Sequence, residues 1–185
     1  MGEPAVKSAS YQDLLQVPGH LVAEILDGTL YTQPRPAPKH ALASSVLGGK
    51  FTDPFHVGSG GPGGWWILDE PELHLNGDIM VPDLAGWRRE RMPELPETAW
   101  FELAPDWVCE VLSPSTAQQD RVLKMPKYAH YGVVHFWLID PLVRTLEAYE
   151  LRDGRWTLVV TLKDNDSVKI APFDAIEFSL GDLWA

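Results

Sequence analysis

Two carboxylates stand where a carboxylate is costly. Asp83 follows Pro82 inside the apolar run Asp78–Trp87 (DIMVPDLAGW), and Glu110 lies inside Asp106–Leu112 (DWVCEVL), between Cys109 and Val111. Charged residues are almost never fully buried unless paired. An ionised carboxylate in a sheet core costs several kcal/mol unless a charge or a metal compensates it. Two such groups on adjacent strands also repel each other, and a divalent cation is the simplest resolution. Mg2+, with Mn2+ as its substitute, suits them, because it is held by one or two carboxylates plus water and phosphate oxygens. Asp106 competes for the role. It is four residues from Glu110 on the same strand, about 13 Å away by strand rise, so these two cannot share a metal. Asp83 comes from another strand and can lie opposite Glu110; Asp106 reads as an exposed strand-start residue.

Other candidates are weaker. The six histidines (20, 40, 56, 74, 130, 135) show no metal-ligand spacing and read as surface residues or as supports for a site. Cys109 points to the sheet face opposite Glu110 and reads as a core thiol, not a nucleophile. As the sole cysteine it excludes an intramolecular disulfide and Cys-rich zinc sites. The glycine-rich stretch 58–64 (GSGGPGG) lacks a Gly-Lys-Ser/Thr ending and leads into a β-like run, so it is a loop and not a phosphate cradle. RRER at 88–91 is the dense basic cluster, just beyond Asp83. It reads either as a solvated loop or as a contact to a phosphate backbone. Most of the eight tryptophans belong to strand core, while Trp87 and Trp100 could be exposed contacts.

The elements that must position these residues form an α/β (α+β) pattern. Ser10 and Asp13 cap a short helix at 11–16, ended by Pro18 and Gly19. Leu21–Leu26 and Thr29–Thr32 are strands joined by Asp27-Gly28, a hairpin signal. QPRPAPK is extended by its prolines, and a packed helix follows from His40. Strands are expected at Trp65–Leu68, Glu72–Leu75, Asp78–Trp87 and Asp106–Leu112, the last buried on both faces. Ser115 with Gln118 opens a helix through Tyr131, kinked by Pro126 and stopped by Gly132. Val133–Asp140 is a buried strand. Thr145–Leu151, Trp156–Leu162 and Phe173–Phe178 complete a C-terminal β-meander.

The chain has 185 residues, and 15 Lys+Arg against 26 Asp+Glu give a net charge of −11. That length suits one domain spanning 1–185, with 1–9 flexible. The acidity argues against a polybasic nucleic-acid binder and against docking on an anionic membrane. No apolar stretch approaches a membrane span, and the lone unpaired cysteine suits a reducing cytoplasm.

VPDLAGWRRER, followed by APDWVCEVLSPSTAQQDRVLKMPKYAHYGVVHFWLIDP, resembles the Uma-two endonuclease family. The hairpin VAEILDGTL and the proline-rich lead to His40 fit as well, so the resemblance runs from Tyr11 to the C-terminus. It implies a restriction-endonuclease-like fold, a mixed sheet flanked by helices carrying the pattern PD…(D/E)xK, and Mg2+-dependent hydrolysis of DNA phosphodiesters. By that resemblance Asp83 is the first metal ligand and Glu110 the second, with the Val111 carbonyl as a third donor. The pattern's lysine is missing: Leu112 stands there, and the resemblance supplies Lys124 from the following helix. Taken alone, Lys124 with Asp120 is an i, i+4 surface pair. Glu24 matches a family glutamate that could reach the metal through water; read alone, it is an exposed hairpin carboxylate. Asp120 and Tyr128 match family positions too. The alternative is a catalytically silent nuclease scaffold acting as a homodimeric binding or assembly module. DNA affinity, given the net charge, is expected to be weak or localised.

Overall fold

The computed structural model describes residues 8–184. The expectation of flexibility at 1–9 therefore falls mostly outside them; within them, the Ala9 N–H donates to the Gly28 carbonyl at 2.7 Å. Helix α1 (Tyr11–Leu15) carries the full capping box between Ser10 and Asp13. Strands β1 (Leu21–Leu26) and β2 (Thr29–Pro34) pair antiparallel around Asp27 and Gly28. Both turn residues take positive φ (50° and 72°), as a two-residue hairpin with strand-matched twist demands.

Helix α2 is Pro38–Phe51, and β3 is Trp65–Asp69. The expected strand Asp78–Trp87 is two strands in two sheets, β5 (Asp78–Met80) and β6 (Leu84–Arg88). Pro82 has no N–H to give a ladder, so the chain leaves one sheet and enters the other at Val81-Pro82-Asp83. With β4 (Leu73–Leu75), β5 joins the hairpin in a sheet of order β2-β1-β5-β4. The larger sheet adds β7 (Trp107–Val111), β8 (His135–Asp140), β9 (Thr145–Arg152) and β10 (Arg155–Lys163), in order β10-β9-β8-β7-β6-β3. Its β7–β8 pair is parallel and the rest antiparallel.

A parallel pair needs a crossover, and here it is helical from Ala117 to His130. The ends of this helix, α3 (Ala117–Gln119) and α4 (Met125–His130), flank π-helical turns over Asp120–Lys124. The widening comes just before Pro126, which cannot donate to the ladder. Gly132 (φ 78°) ends the helix as expected.

The large sheet is covered on both faces. On one side Ala43, Leu47 and Phe51 of α2 pack on Trp107, Cys109 and Trp137. On the other, Tyr128 of the crossover helix and Leu26 and Met80 of the smaller sheet meet Val108, Phe136 and Leu138. Full coverage explains why all five residues of β7 are buried.

Three expectations change. Phe173–Phe178 is not a strand: Phe173 inserts its ring into the core, and only β12 (Phe178–Ser179) pairs, with β11 (Ser167–Val168). Trp87 is buried, its indole N–H donating to the Leu103 carbonyl and its ring stacked on Phe101. Asp106 is buried as well, accepting the Arg88 N–H at 2.8 Å and pairing with Arg91 at 2.8 Å. It caps the exit of β6 and does not face solvent. Among the described residues, no helix is long and apolar enough to cross a membrane.

Candidate active site

The antiparallel register Leu84↔Cys109 places the residue before β6 beside the end of β7. Asp83 arrives there because Pro82 turns the chain into the sheet, and the Val111 N–H donates to Asp83 Oδ2 at 2.7 Å. Asp83 Oδ2 also lies 3.3 Å from His40 Nε2, carried on the first turn of α2. Glu110, on the sheet face opposite Cys109, meets the crossover helix. Lys124 Nζ is 2.7 Å from Glu110 Oε1, and the Tyr128 hydroxyl donates to the same oxygen at 2.6 Å.

Lys124 is the hub of this face. Its ammonium also reaches Glu24 Oε1 at 2.9 Å, donates to the Val81 carbonyl at 3.2 Å and lies 3.8 Å from Asp120 Oδ1. Lys124 is therefore no surface pair with Asp120; its side chain is 1 % exposed and Asp120 is its longest contact. Nor is Glu24 an exposed hairpin carboxylate. It accepts the Val81 N–H on one oxygen and the Gln119 amide on the other, both from neighbouring elements that bury it. Asp83, Glu110, Asp120, His40, Ser113 and Arg35 line one cleft of about 230 Å³.

The cluster is short of positive charge. Burial pushes Glu110 well above the usual carboxylate range; Lys124 opposes this, while Asp120, Asp83 and Glu24 add to it. Asp120 is pushed up to about 6, again by burial first. Burial works against the Lys124 ammonium, but Glu110 and Glu24 outweigh it and keep the lysine protonated. At His40, burial is likewise outweighed, by Asp83, the Val111 carbonyl and Asp120, so its pKa rises. Four carboxylates surround one buried ammonium and one histidine, so another cation entering the cleft would relieve several repulsions at once.

The donor set fits a hard divalent ion. Protein donors occupy Asp83 Oδ2 and Glu110 Oε1. No hydrogen bond to Asp83 Oδ1 or Glu110 Oε2 is made among the described residues. No three Asp, Glu, His or Cys among the described residues form a metal cluster by themselves. Two carboxylates completed by water and phosphate oxygens are the arrangement Mg2+ commonly adopts.

The basic cluster lies elsewhere. Arg88 is at the far end of β6, about 17 Å along the strand from Asp83. Arg89 sits 3.9 Å over the Trp66 ring and donates to the carbonyls of Trp65 and His56, while Arg91 holds Asp106. The protein itself occupies Arg89 and Arg91, which matches the loop reading. His40 and Gln119 were not among the sequence-derived site residues. His40 heads the buried stripe His40, Ala43, Leu47 and Phe51 of α2, and a histidine at the head of a small and apolar stripe is the signal that could have found it.

No curated protein matches the chain. Among solved structures, the chain is similar to the crystal structure of "a putative nuclease belonging to DUF820" from Anabaena variabilis ATCC 29413. The TM-score is 0.75 and the identity 21 %, over 93 % of this chain and 95 % of the other. The likeness shows that the fold is shared. The Uma2 family, described as "Putative restriction endonuclease", matches residues 9–181. A match of that extent means that the chain belongs to the Uma2 family.

Proposed function

We propose that the protein is a Mg2+-dependent endonuclease hydrolysing phosphodiester bonds in DNA, with Mn2+ able to replace Mg2+. One observation carries the reading: Asp83, just before β6, and Glu110, on the neighbouring β7, line one cleft, and Lys124 rests on Glu110. Asp83 and Glu110 would hold the ion, which supplies Lewis acidity at a phosphoryl oxygen. The Val111 carbonyl, which His40 also faces, would be a third donor.

The chain's own groups divide the remaining work. Lys124 holds its proton behind Glu110, outside the residues that line the cleft, and would supply the site with a fixed positive charge where negative charge develops. The Tyr128 hydroxyl and the Lys124 ammonium fix the rotamer of Glu110. Glu24 and Asp120 keep Lys124 charged, and Gln119 keeps Glu24 in place. His40 and the Val111 N–H orient Asp83. Leu112, where the superfamily pattern has lysine, is a core residue; Lys124 brings the same charge from the helix side.

The test is nicking of supercoiled plasmid with Mg2+ or Mn2+ at low salt, comparing wild type with Asp83→Ala and Glu110→Ala. Wild type is expected to cut and both variants to lose cutting. If wild type binds metal but cuts nothing, the catalytically silent scaffold, acting as a homodimeric binding module, replaces this reading.

A further inference from the structure

From the end of β2 toward α2 the chain runs Gln33-Pro34-Arg35-Pro36, a stretch whose prolines hold it extended. Arg35 is thus presented from a stiff rim. Its guanidinium lies 3.5 Å from Glu70 Oε2 and donates to the Gly19 carbonyl at 3.2 Å. Glu70 in turn donates its backbone N–H to the Asp83 carbonyl, so Arg35 stands on the Asp83 side of the cleft. Among the described residues lining that cleft, Arg35 is the only lysine or arginine, against Glu70, Asp83, Glu110 and Asp120. Its side chain is 54 % exposed, and exposed pairs such as Arg35–Glu70 are readily exchanged for a stronger anion.

We propose that Arg35 grips a backbone phosphate neighbouring the scissile one. The inference rests on the nuclease reading and deepens it. The guanidinium fork matches two phosphate oxygens, which a lysine cannot do. In a molecule of charge −11, a single arginine at the cleft rim also makes DNA affinity local: the strand is held where it is cut and nowhere else.

Binding of a short labelled DNA duplex is measured by fluorescence anisotropy across a salt series, with Ca2+ replacing Mg2+ so that binding is read without cutting. Arg35→Gln is expected to weaken binding about tenfold and to lower the slope of log affinity against log salt by about one. Arg35→Lys keeps the slope and recovers only part of the affinity. Arg152→Gln, which removes an exposed arginine paired with Glu150 outside the cleft, leaves both unchanged. A methylphosphonate scan adds a positional readout: wild type loses affinity at one phosphate to which Arg35→Gln is indifferent. Wild-type binding that Arg35→Gln leaves intact in affinity and slope overturns this inference alone. A wild type that binds no duplex at any salt concentration overturns it together with the nuclease reading.

Discussion

Lys124 and Lys127 lie one helical turn apart, and each bridges two carboxylates brought by different strands or turns. They do opposite things. Lys127 Nζ sits 2.6 Å from Asp27 Oδ1 in the hairpin turn and 2.8 Å from Asp78 Oδ2 at the start of β5. Asp78 is further served by the Tyr131 hydroxyl and the Asp27 N–H, while the Asp27 side chain is 82 % exposed. Burial pushes Asp78 up, but Lys127, Tyr131 and that N–H outweigh it, and its pKa is lowered. This cluster clips the hairpin sheet to the crossover helix, with the second carboxylate left in water. Around Lys124 every partner is buried, Asp83 and Asp120 add charge, and Glu110 is raised in spite of the lysine. The same residue types make a clip where one carboxylate lies in water and other donors serve the second, and a cluster short of positive charge where every carboxylate is buried.

The largest expected difference between the clusters is in stability. Lys124→Met strands two buried carboxylates and is expected to cost about 3–5 kcal/mol. Lys127→Met, which leaves Asp27 in water and Asp78 with two other donors, is expected to cost about 1 kcal/mol. Urea unfolding of both variants reads the contrast, and equal losses would break it.

Metal response comes next. At a Mn2+ concentration a hundred times the dissociation constant, wild type should gain about 2.7 kcal/mol, visible as a rise in Tm. Asp83→Asn and Glu110→Gln should lose that rise while Asp78→Asn keeps it. A rise abolished equally by Asp78→Asn would place the ion at the wrong lysine.

The smallest effect is on pH dependence. Asp78 has a folded pKa below its unfolded value near 3.9, so its contribution is present above about pH 4 and lost as pH falls through the folded pKa. The stability difference between wild type and Asp78→Asn, on the order of 1 kcal/mol, should therefore shrink toward zero below pH 4. A difference that grows on acidification would mean that Asp78 is not the partner of Lys127 in solution.

Much of this was legible in residue types and order. The capped helix at Ser10, the Asp27-Gly28 hairpin, the buried strands around Glu110 and Trp137, and the stop at Gly132 follow from local signals, and all appear. Less legible were features set by what a segment packs against. Asp78–Trp87 reads as one run because apolar pattern does not say which sheet a strand joins. Glu24, Lys124 and Asp106 look like surface charges because their spacing in the chain is that of surface charges. Gln119 carries no motif of its own, and His40 only its place at the head of the buried stripe of α2.

The sequence by itself determined which chemistry was affordable: carboxylates inside apolar strands demand a counter-charge, whatever the fold. Only the tertiary structure decided where that counter-charge is. Pro82 delivers Asp83 to the end of β7, and the parallel β7–β8 pair requires a crossover helix over Glu110. That helix brings Lys124 into a position that no local pattern specifies. Contacts between residues distant in sequence depend on how the layers close, and a one-dimensional pattern carries the identities of such residues but not their distances.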